Sequence, residues 1–178
     1  ISGSGAKEGD CIVVSGYIGV HGMSVVSARE NFGFKTQIES DVALLNHLVQ
    51  AMLEVTNEVH ALRDGTRGGI ATVLNEIACQ SGVGIEIEEE KIPILSETRK
   101  ICSVMGVDPL KLISSGCVIS SLPAERVEEC LIKLRSSGIP SEAVGRVEEG
   151  SGLIVLKKGG GVDRYEEWIE DEIYRLTS

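Results

Sequence analysis

Cys117-Val118-Ile119-Ser120-Ser121-Leu122 is followed by Pro123–Leu134, then by Glu142–Val147 and Leu153–Leu156. The first segment is a short apolar run bounded by turn residues, which suits a strand. Pro123–Leu134 places Val127, Cys130, Leu131 and Leu134 on one face at three- and four-residue steps, the signature of a helix. The last two segments read as strands joined through Glu149-Gly150-Ser151-Gly152, a hairpin signal. Strand, helix, strand, strand is the order of part of a split βαβ arrangement.

Working upstream, Val83, Ile85 and Ile87 alternate with Gly84, Glu86 and Glu88, a strand with one wet face. A helix is expected from Gly68 to Gln80, with Ile70, Val73, Leu74, Ile77 and Ala78 inward and Gly82 to stop it. Glu58–Leu62 reads as a short strand. Ser40-Asp41 opens a helix whose stripe is Val42, Leu45, Leu48, Val49, Met52 and Leu53. Cys11-Ile12-Val13-Val14 suits a strand buried on both faces. Gly16, Gly19 and Gly22 mark the loop after it, and Met23–Asn31 reads as a helix ended by Asn31-Phe32-Gly33. Ser96–Met105 is expected as a helix ended by Gly106, and Asp108-Pro109 starts a short one. Downstream, Gly159-Gly160-Gly161 is a hinge or linker. Asp163–Leu176 then reads as a helix with Tyr165, Trp168, Ile169, Ile173 and Leu176 on one face. Its acidic residues Glu166, Glu167, Glu170 and Asp171 form either a solvated face or a docking surface. The elements add up to one α+β domain.

The 178 residues, 42% hydrophobic, suffice for one core without staples. No apolar run approaches the roughly 18 residues of a membrane span. Ile1–Asp10 lacks the layout of a secretory signal, so a cytoplasmic location and no membrane contact are expected. The formal net charge of −10 argues against a nucleic-acid partner. The five cysteines, Cys11, Cys79, Cys102, Cys117 and Cys130, are odd in number and lack a C-x-x-C pair. They are expected as small buried apolar residues in a reducing compartment. His21, His47 and His60 are far apart, and composition gives no metal site.

The segment His60-Ala61-Leu62-Arg63-Asp64-Gly65-Thr66-Arg67-Gly68-Gly69 sits where a strand hands over to a helix. Gly68 and Gly69 let the backbone approach a ligand, and the helix start favours an anion. Arg67 adds a planar donor fork for phosphate or carboxylate. Asp64 could hold a metal ion or orient a donor. The plainer alternative is that Asp64 or Thr66 caps the helix and the glycines make a tight turn. The loop Ser15-Gly16-Tyr17-Ile18-Gly19-Val20-His21-Gly22 offers His21 as an acid/base or hydrogen-bonding residue, or as a structural histidine. Asn75 could reach a neighbouring loop or serve helix solvation. Ser114-Ser115-Gly116 precedes a strand and could be only a turn.

Taken in order, several of these segments carry a resemblance. They are Gly9-Asp10, Ser15-Gly16-x-Ile18-Gly19-x-His21-Gly22, Ser27-Ala28-Arg29-Glu30 and Glu39-Ser40-Asp41 with Leu45-Asn46. The series continues with Ala61-Leu62-Arg63-Asp64-x-Thr66-Arg67-Gly68-Gly69, Leu74-Asn75-Glu76-Ile77, Ser81-Gly82-Val83-Gly84-Ile85 and Ile92-Pro93. Over residues 1–158 the chain resembles the C-terminal domain of the aminoimidazole ribonucleotide (AIR) synthase-related, or PurM, superfamily in its HypE-like hydrogenase-maturation branch. The resemblance implies a layered α/β/α unit with partial ferredoxin-like (split βαβ) topology. It implies a preceding N-terminal ATP-binding domain that is absent from residues 1–178, and a homodimer that uses ATP and Mg. It further implies ATP-dependent dehydration of a carboxamide to a thiocyanate, in which an amide oxygen is phosphorylated and phosphate then expelled, with other maturation proteins as partners. By matched motif position, Asp64, His21 and Asn75 are the catalytic candidates, and Thr66, Arg67, Gly68 and Gly69 the phosphate- or ligand-binding ones.

The chain departs from the family at three places. The family ends in Pro-Arg-Ile-Cys, whereas no cysteine follows Cys130 here. Ser114-Ser115-Gly116 stands for Asn-Glu-Gly, whose carboxylate is a candidate base that a hydroxyl cannot replace. Gly19-Val20-His21-Gly22 stands for Gly-Asp-His-Gly. Two other readings therefore stay open: an ATP-dependent relative acting on a separate small-molecule acceptor, and a non-catalytic assembly module.

Overall fold

The computed structural model describes residues 1–28, 38–165, 169 and 172. Its frame is β1 (Asp10–Ser15), which runs through the middle of a seven-stranded sheet and is buried along nearly its whole length. Ile12 and Val14 belong to one core cluster and Val13 to another, so successive side chains serve opposite faces. β2 (Ala61–Gly65), β3 (Gly84–Glu88), β4 (Ser114–Pro123), β5 (Ser141–Glu148), β6 (Gly152–Leu156) and β7 (Val162–Tyr165) complete the sheet. Their order is β2-β4-β1-β5-β3-β6-β7.

Two split units lock into each other at the centre. β1, α2 (Asn46–Leu53) and β2 form one, with β4 between the two strands; β4, α5 (Ala124–Ser136) and β5 form the other, with β1 between its strands. β1 and β2 both run antiparallel to β4, and β4 and β5 both run antiparallel to β1. This is the interleaving of a ferredoxin-like fold. α2 and α5 cover one face, where Leu48, Ala51 and Met52 meet Val127, Cys130, Leu131 and Leu134 over Val13, Val118 and Leu122. On the opposite face α3 (Gly69–Ser81) lays Ile70, Leu74 and Ile77 over Ile12, Ile119, Ile85 and Val155. The layered α/β/α arrangement follows from these two faces. A third cluster joins Met23 and Val26 of α1 (Val20–Ser27) to Cys102 of α4 (Ser96–Met105), with Val107 and Leu112.

Glycines stop the helices where expected. Gly82 closes α3 and Gly106 closes α4, both left-handed, at φ 68° and 62°. Other expectations are corrected. β5 and β6 are not a hairpin: β3 lies between them, antiparallel to β5 and parallel to β6. The strand expected at Glu58–Leu62 runs over Ala61–Gly65 instead, drawn on by pairing with β4. α2 starts at Asn46, not Ser40-Asp41. Ser40 Oγ accepts from Val42 N at 3.3 Å in a local turn, and Val42 and Leu44 stand exposed.

The Gly159–Gly161 stretch turns the chain between β6 and β7. Lys157 N donates to Gly161 O at 2.8 Å and Gly160 N to Lys157 O at 3.1 Å. The helix expected from Asp163 is strand through Tyr165, paired with Leu153–Leu156 of β6. Lys157 Nζ holds Asp163 at 3.5 Å and Glu89 at 3.2 Å, and Lys111 sits 5.4 Å over the Tyr165 ring. Most of the remaining acidic segment lies outside the described residues, as does the Arg29–Asn31 end of the first expected helix. Cys102, Cys117 and Cys130 are buried as expected, but Cys79 is exposed and Cys11 half-buried.

Candidate functional site

β2 and β4 pair regularly from Ala61↔Ser121 to Asp64↔Val118, and the next pair is Gly65↔Ser114. Ser115, Gly116 and Cys117 therefore bulge out of the ladder, a distortion found beside active sites. The bulge is anchored on both sides. Ser114 Oγ accepts from Gly19 N at 2.8 Å and donates to Leu112 O at 2.9 Å, tying it to the N-cap of α1. Cys117 Sγ donates to Ser114 O at 3.0 Å. Gly65 is required here, because a Cβ on it would fall 2.4 Å from Cys117 Sγ.

His21 stands on the first turn of α1 beside this bulge, half-buried, with Nδ1 2.9 Å from Ser40 Oγ. Asp41 sits on the other side. A Cβ on Gly116 would fall 2.4 Å from Asp41 O and 2.5 Å from its Oδ2, so only glycine permits the approach. Both Asp41 carboxyl oxygens are shut off from solvent, and among the described residues no hydrogen bond of good geometry reaches either. Burial pushes the Asp41 pKa above the usual value of 3.8. Its own backbone N–H, the nearby His21 and the backbone N–H groups of Gly116 and His21 pull it part of the way back. Cys117 is pushed up to about 12, first by burial and then by the negative charges of Asp41 and Asp64. That thiol is inert at neutral pH. The sequence reading did not single out Asp41 as a neighbour of the bulge, because Ser40-Asp41 looks like a helix start.

The strand-to-helix loop divides into an open part and a filled part. Asp64 and Arg67 are exposed and Thr66 half-buried, and Arg67 makes no ion pair with any described residue. Gly68 and Gly69 are buried, with φ 77° and 64°. A Cβ on Gly69 would meet Leu110 O at 2.3 Å and Leu112 O at 2.7 Å, and one on Gly68 would meet Thr72 Oγ1 at 2.1 Å. Gly69 thus admits the neighbouring Leu110–Leu112 turn, whose carbonyl oxygens occupy the space over it, and Gly68 makes room for Thr72. Gly69 N already donates to Thr66 O at 3.1 Å. Neither Asp64 nor Thr66 caps the helix, since the N-cap is Gly68 with no side-chain cap. Asn75 is buried on α3, one turn beyond Thr72, whose hydroxyl donates to Ile169 O at 3.2 Å. Asp64 and Asp41 both act on Cys117, while Asn75 lies further along α3. Among the described residues, no group of three or more His, Cys, Asp or Glu could hold a metal ion, and no helix is long and apolar enough to cross a membrane.

Residues 7–158 match the family described as "AIR synthase related protein, C-terminal domain". Carbamoyl dehydratase HypE of Cupriavidus necator is 39% identical over 175 residues, covering 97% of this chain and 50% of that protein. The crystal structure of HypE in complex with ATP superposes with a TM-score of 0.86 at 35% identity, over 97% of this chain and 54% of that one. The HypE–HypF complex gives a TM-score of 0.86 at 38% identity, over 94% and 55%. The chain spans about half the length of the relatives it matches. With its interleaved βαβ units and bulged β4, the chain belongs to the AIR synthase related protein family as a HypE-like C-terminal domain.

Proposed function

We propose that this domain serves a HypE-like protein in the ATP-dependent dehydration of a carboxamide to a thiocyanate during nickel–iron hydrogenase maturation. The observation that carries the reading is 39% identity over 97% of the chain to a carbamoyl dehydratase. A structure of HypE with ATP supports nucleotide use by the same type of protein. In this reading an N-terminal half supplies most of the nucleotide contacts, with Mg alongside. Arg67 and Thr66 face the transferred phosphate, and Asp64 orients donors or the metal ion. Gly68 and Gly69 set the loop's path instead of cradling phosphate themselves. His21 works at the reacting group, and Asn75 supports α3. The working form is a cytoplasmic homodimer, and the HypE–HypF complex makes a HypF-type protein the partner to expect.

The test uses the complete protein with ATP and a carbamoylated acceptor, followed by intact mass. Dehydration removes one water, so the carrier becomes about 18 Da lighter as ATP is consumed. Arg67→Ala is expected to raise KM for ATP or lower kcat by at least about tenfold, the scale of losing one charge-assisted phosphate contact. ATP turnover that requires a free small molecule, with no mass loss on the protein, would replace this reading with that of a separate acceptor. Ser115 in place of a carboxylate favours that second reading.

A further inference from the structure

Among the described lysines, Lys91, Lys133, Lys157 and Lys158 each hold their ammonium group against a carboxylate, at 2.7 to 3.4 Å. Lys7 meets a ring nitrogen instead: its Nζ lies 3.2 Å from His60 Nε2. Nδ1 of the same ring lies 3.0 and 2.9 Å from the two carboxyl oxygens of Asp10. A carboxylate only accepts, so Nδ1 carries the hydrogen, Nε2 keeps its lone pair, and Lys7 is the donor to it. Asp10 is itself fixed, being buried and accepting from Ser121 Oγ and Lys7 N. The segment that carries Lys7 is held as well. A Cβ on Gly5 would fall 2.2 Å from His60 O, and Ala6 N donates to Ser81 Oγ at 3.2 Å.

An amine is thus fixed against a base, and the base is oriented by a buried acid, the arrangement that activates a nucleophile. Lys7 is exposed and the His60 side chain is 16% exposed, so a reagent reaches the amine from solvent. The group sits at the Asp10 end of β1, opposite the Ser15–Val118 end that borders the β4 bulge.

We propose that Lys7 Nζ is an acyl-acceptor site, with His60 as its base, Asp10 as the residue that positions His60, and a small acyl phosphate as the class of donor. The three residues supply a nucleophile and a base but nothing that would activate a free carboxylate, so the donor brings its own leaving group. The ammonium gives a proton to His60 Nε2, and Asp10 stabilises the imidazolium. The freed nitrogen pair attacks the acyl carbon and the C–N bond forms. The acyl C–O bond breaks, and its electron pair leaves with phosphate. The amide nitrogen sheds a second proton to water, as His60 then does. Lys7 ends as a neutral amide. The site is independent of the dehydration reading.

The experiment incubates the complete protein and its His60→Gln variant with acetyl phosphate near pH 8 and follows each lysine by peptide mass spectrometry. Lys158 is the reference, with a side chain 78% exposed and paired to Glu90. In the wild type Lys7 should be acetylated at least about tenfold faster than Lys158, a modest part of what a positioned base gives an enzyme. In His60→Gln the Lys7 rate should fall to that of Lys158, while Lys158 keeps its own. Equal rates at the two lysines in the wild type would overturn the proposal, as would a Lys7 rate that His60→Gln leaves unchanged. If the variant does not fold, the wild type in heavy water decides. A proton passing to His60 during the reaction slows Lys7 more than Lys158, and an equal slowing of both overturns the proposal.

Discussion

Asp10 and Asp41 both turn their carboxylates away from water, yet only Asp10 is met by donors. Asp10 Oδ2 accepts from Lys7 N at 2.9 Å, Ser121 Oγ at 2.5 Å and His60 Nδ1 at 2.9 Å. With Nδ1–H given to Asp10, His60 Nε2 is the acceptor facing Lys7 Nζ at 3.2 Å. The network ties the N-terminal segment to β1, β4 and the lead-in to β2, and its polar atoms are satisfied. Asp41 is less enclosed as a residue, and among the described residues no hydrogen bond of good geometry reaches its carboxyl oxygens. A saturated buried carboxylate rigidifies a fold, whereas an unsaturated one costs stability and persists where the surroundings hold it for another purpose. The first belongs to the frame, and the second lies at the β4 bulge beside His21.

The largest effect expected from this contrast is at Asp10. Asp10→Ala leaves Ser121 Oγ, Lys7 N and His60 Nδ1 without their acceptor. The loss should be about 3 kcal/mol, as for breaking a buried, hydrogen-bonded charge network. For a chain of this size that lowers the thermal midpoint by roughly 10 °C, measurable by calorimetry or circular dichroism. A drop of less than roughly 2 °C would erase the distinction between the two aspartates.

A smaller effect, of the opposite sign, is expected at Asp41. Its folded-state pKa is raised above 3.8, first by burial, so the folded chain holds that proton more tightly than the unfolded chain. Stability attributable to this group is therefore intact below the unfolded value and is lost as pH rises through the folded one. Asp41→Asn should remove that loss. The variant and wild type should unfold alike near pH 3.5, and the variant should be the more stable above the folded pKa, as urea titrations at several pH values would show. A variant that is less stable at every pH would make Asp41 a frame residue like Asp10.

The same division explains what was legible in the sequence. Cys11–Val14 announced burial on both faces, and the stripes of α3 and α5 and the glycines that close α3 and α4 announced helices, because these patterns report a residue's own surroundings. The partner of a strand is a non-local fact. Glu149–Gly152 has the composition of a hairpin turn, but nothing local says that β3 enters between β5 and β6. Tyr165 fits a helical stripe until Leu153 and Lys111 are known to lie beside it. At the candidate site, Asp64, Thr66, Arg67 and His21 were singled out by residue type and motif position. That Gly69 also lies against the Leu110–Leu112 turn could not be read locally, since that turn is about forty residues away in the chain. Asp41 was hidden for the same reason: its counterpart, Gly116, is distant in the chain and has no side chain to advertise a contact.

The smallest expected effect sharpens the contrast at Cys117, the thiol beside Asp41. Exposed Cys79 should be alkylated by iodoacetamide before the three buried cysteines, while Cys117, pushed up to about 12, should react only as the chain unfolds. Burial is the larger cause of that shift and the Asp41 charge the next. Asp41→Asn should therefore change Cys117 labelling at pH 8 by no more than about twofold, because removing one nearby charge leaves the desolvation in place. Peptide mass spectrometry over a time course resolves this. Rapid labelling of Cys117 in the variant would mean that Asp41 holds the bulge closed. Its stored cost would then be structural.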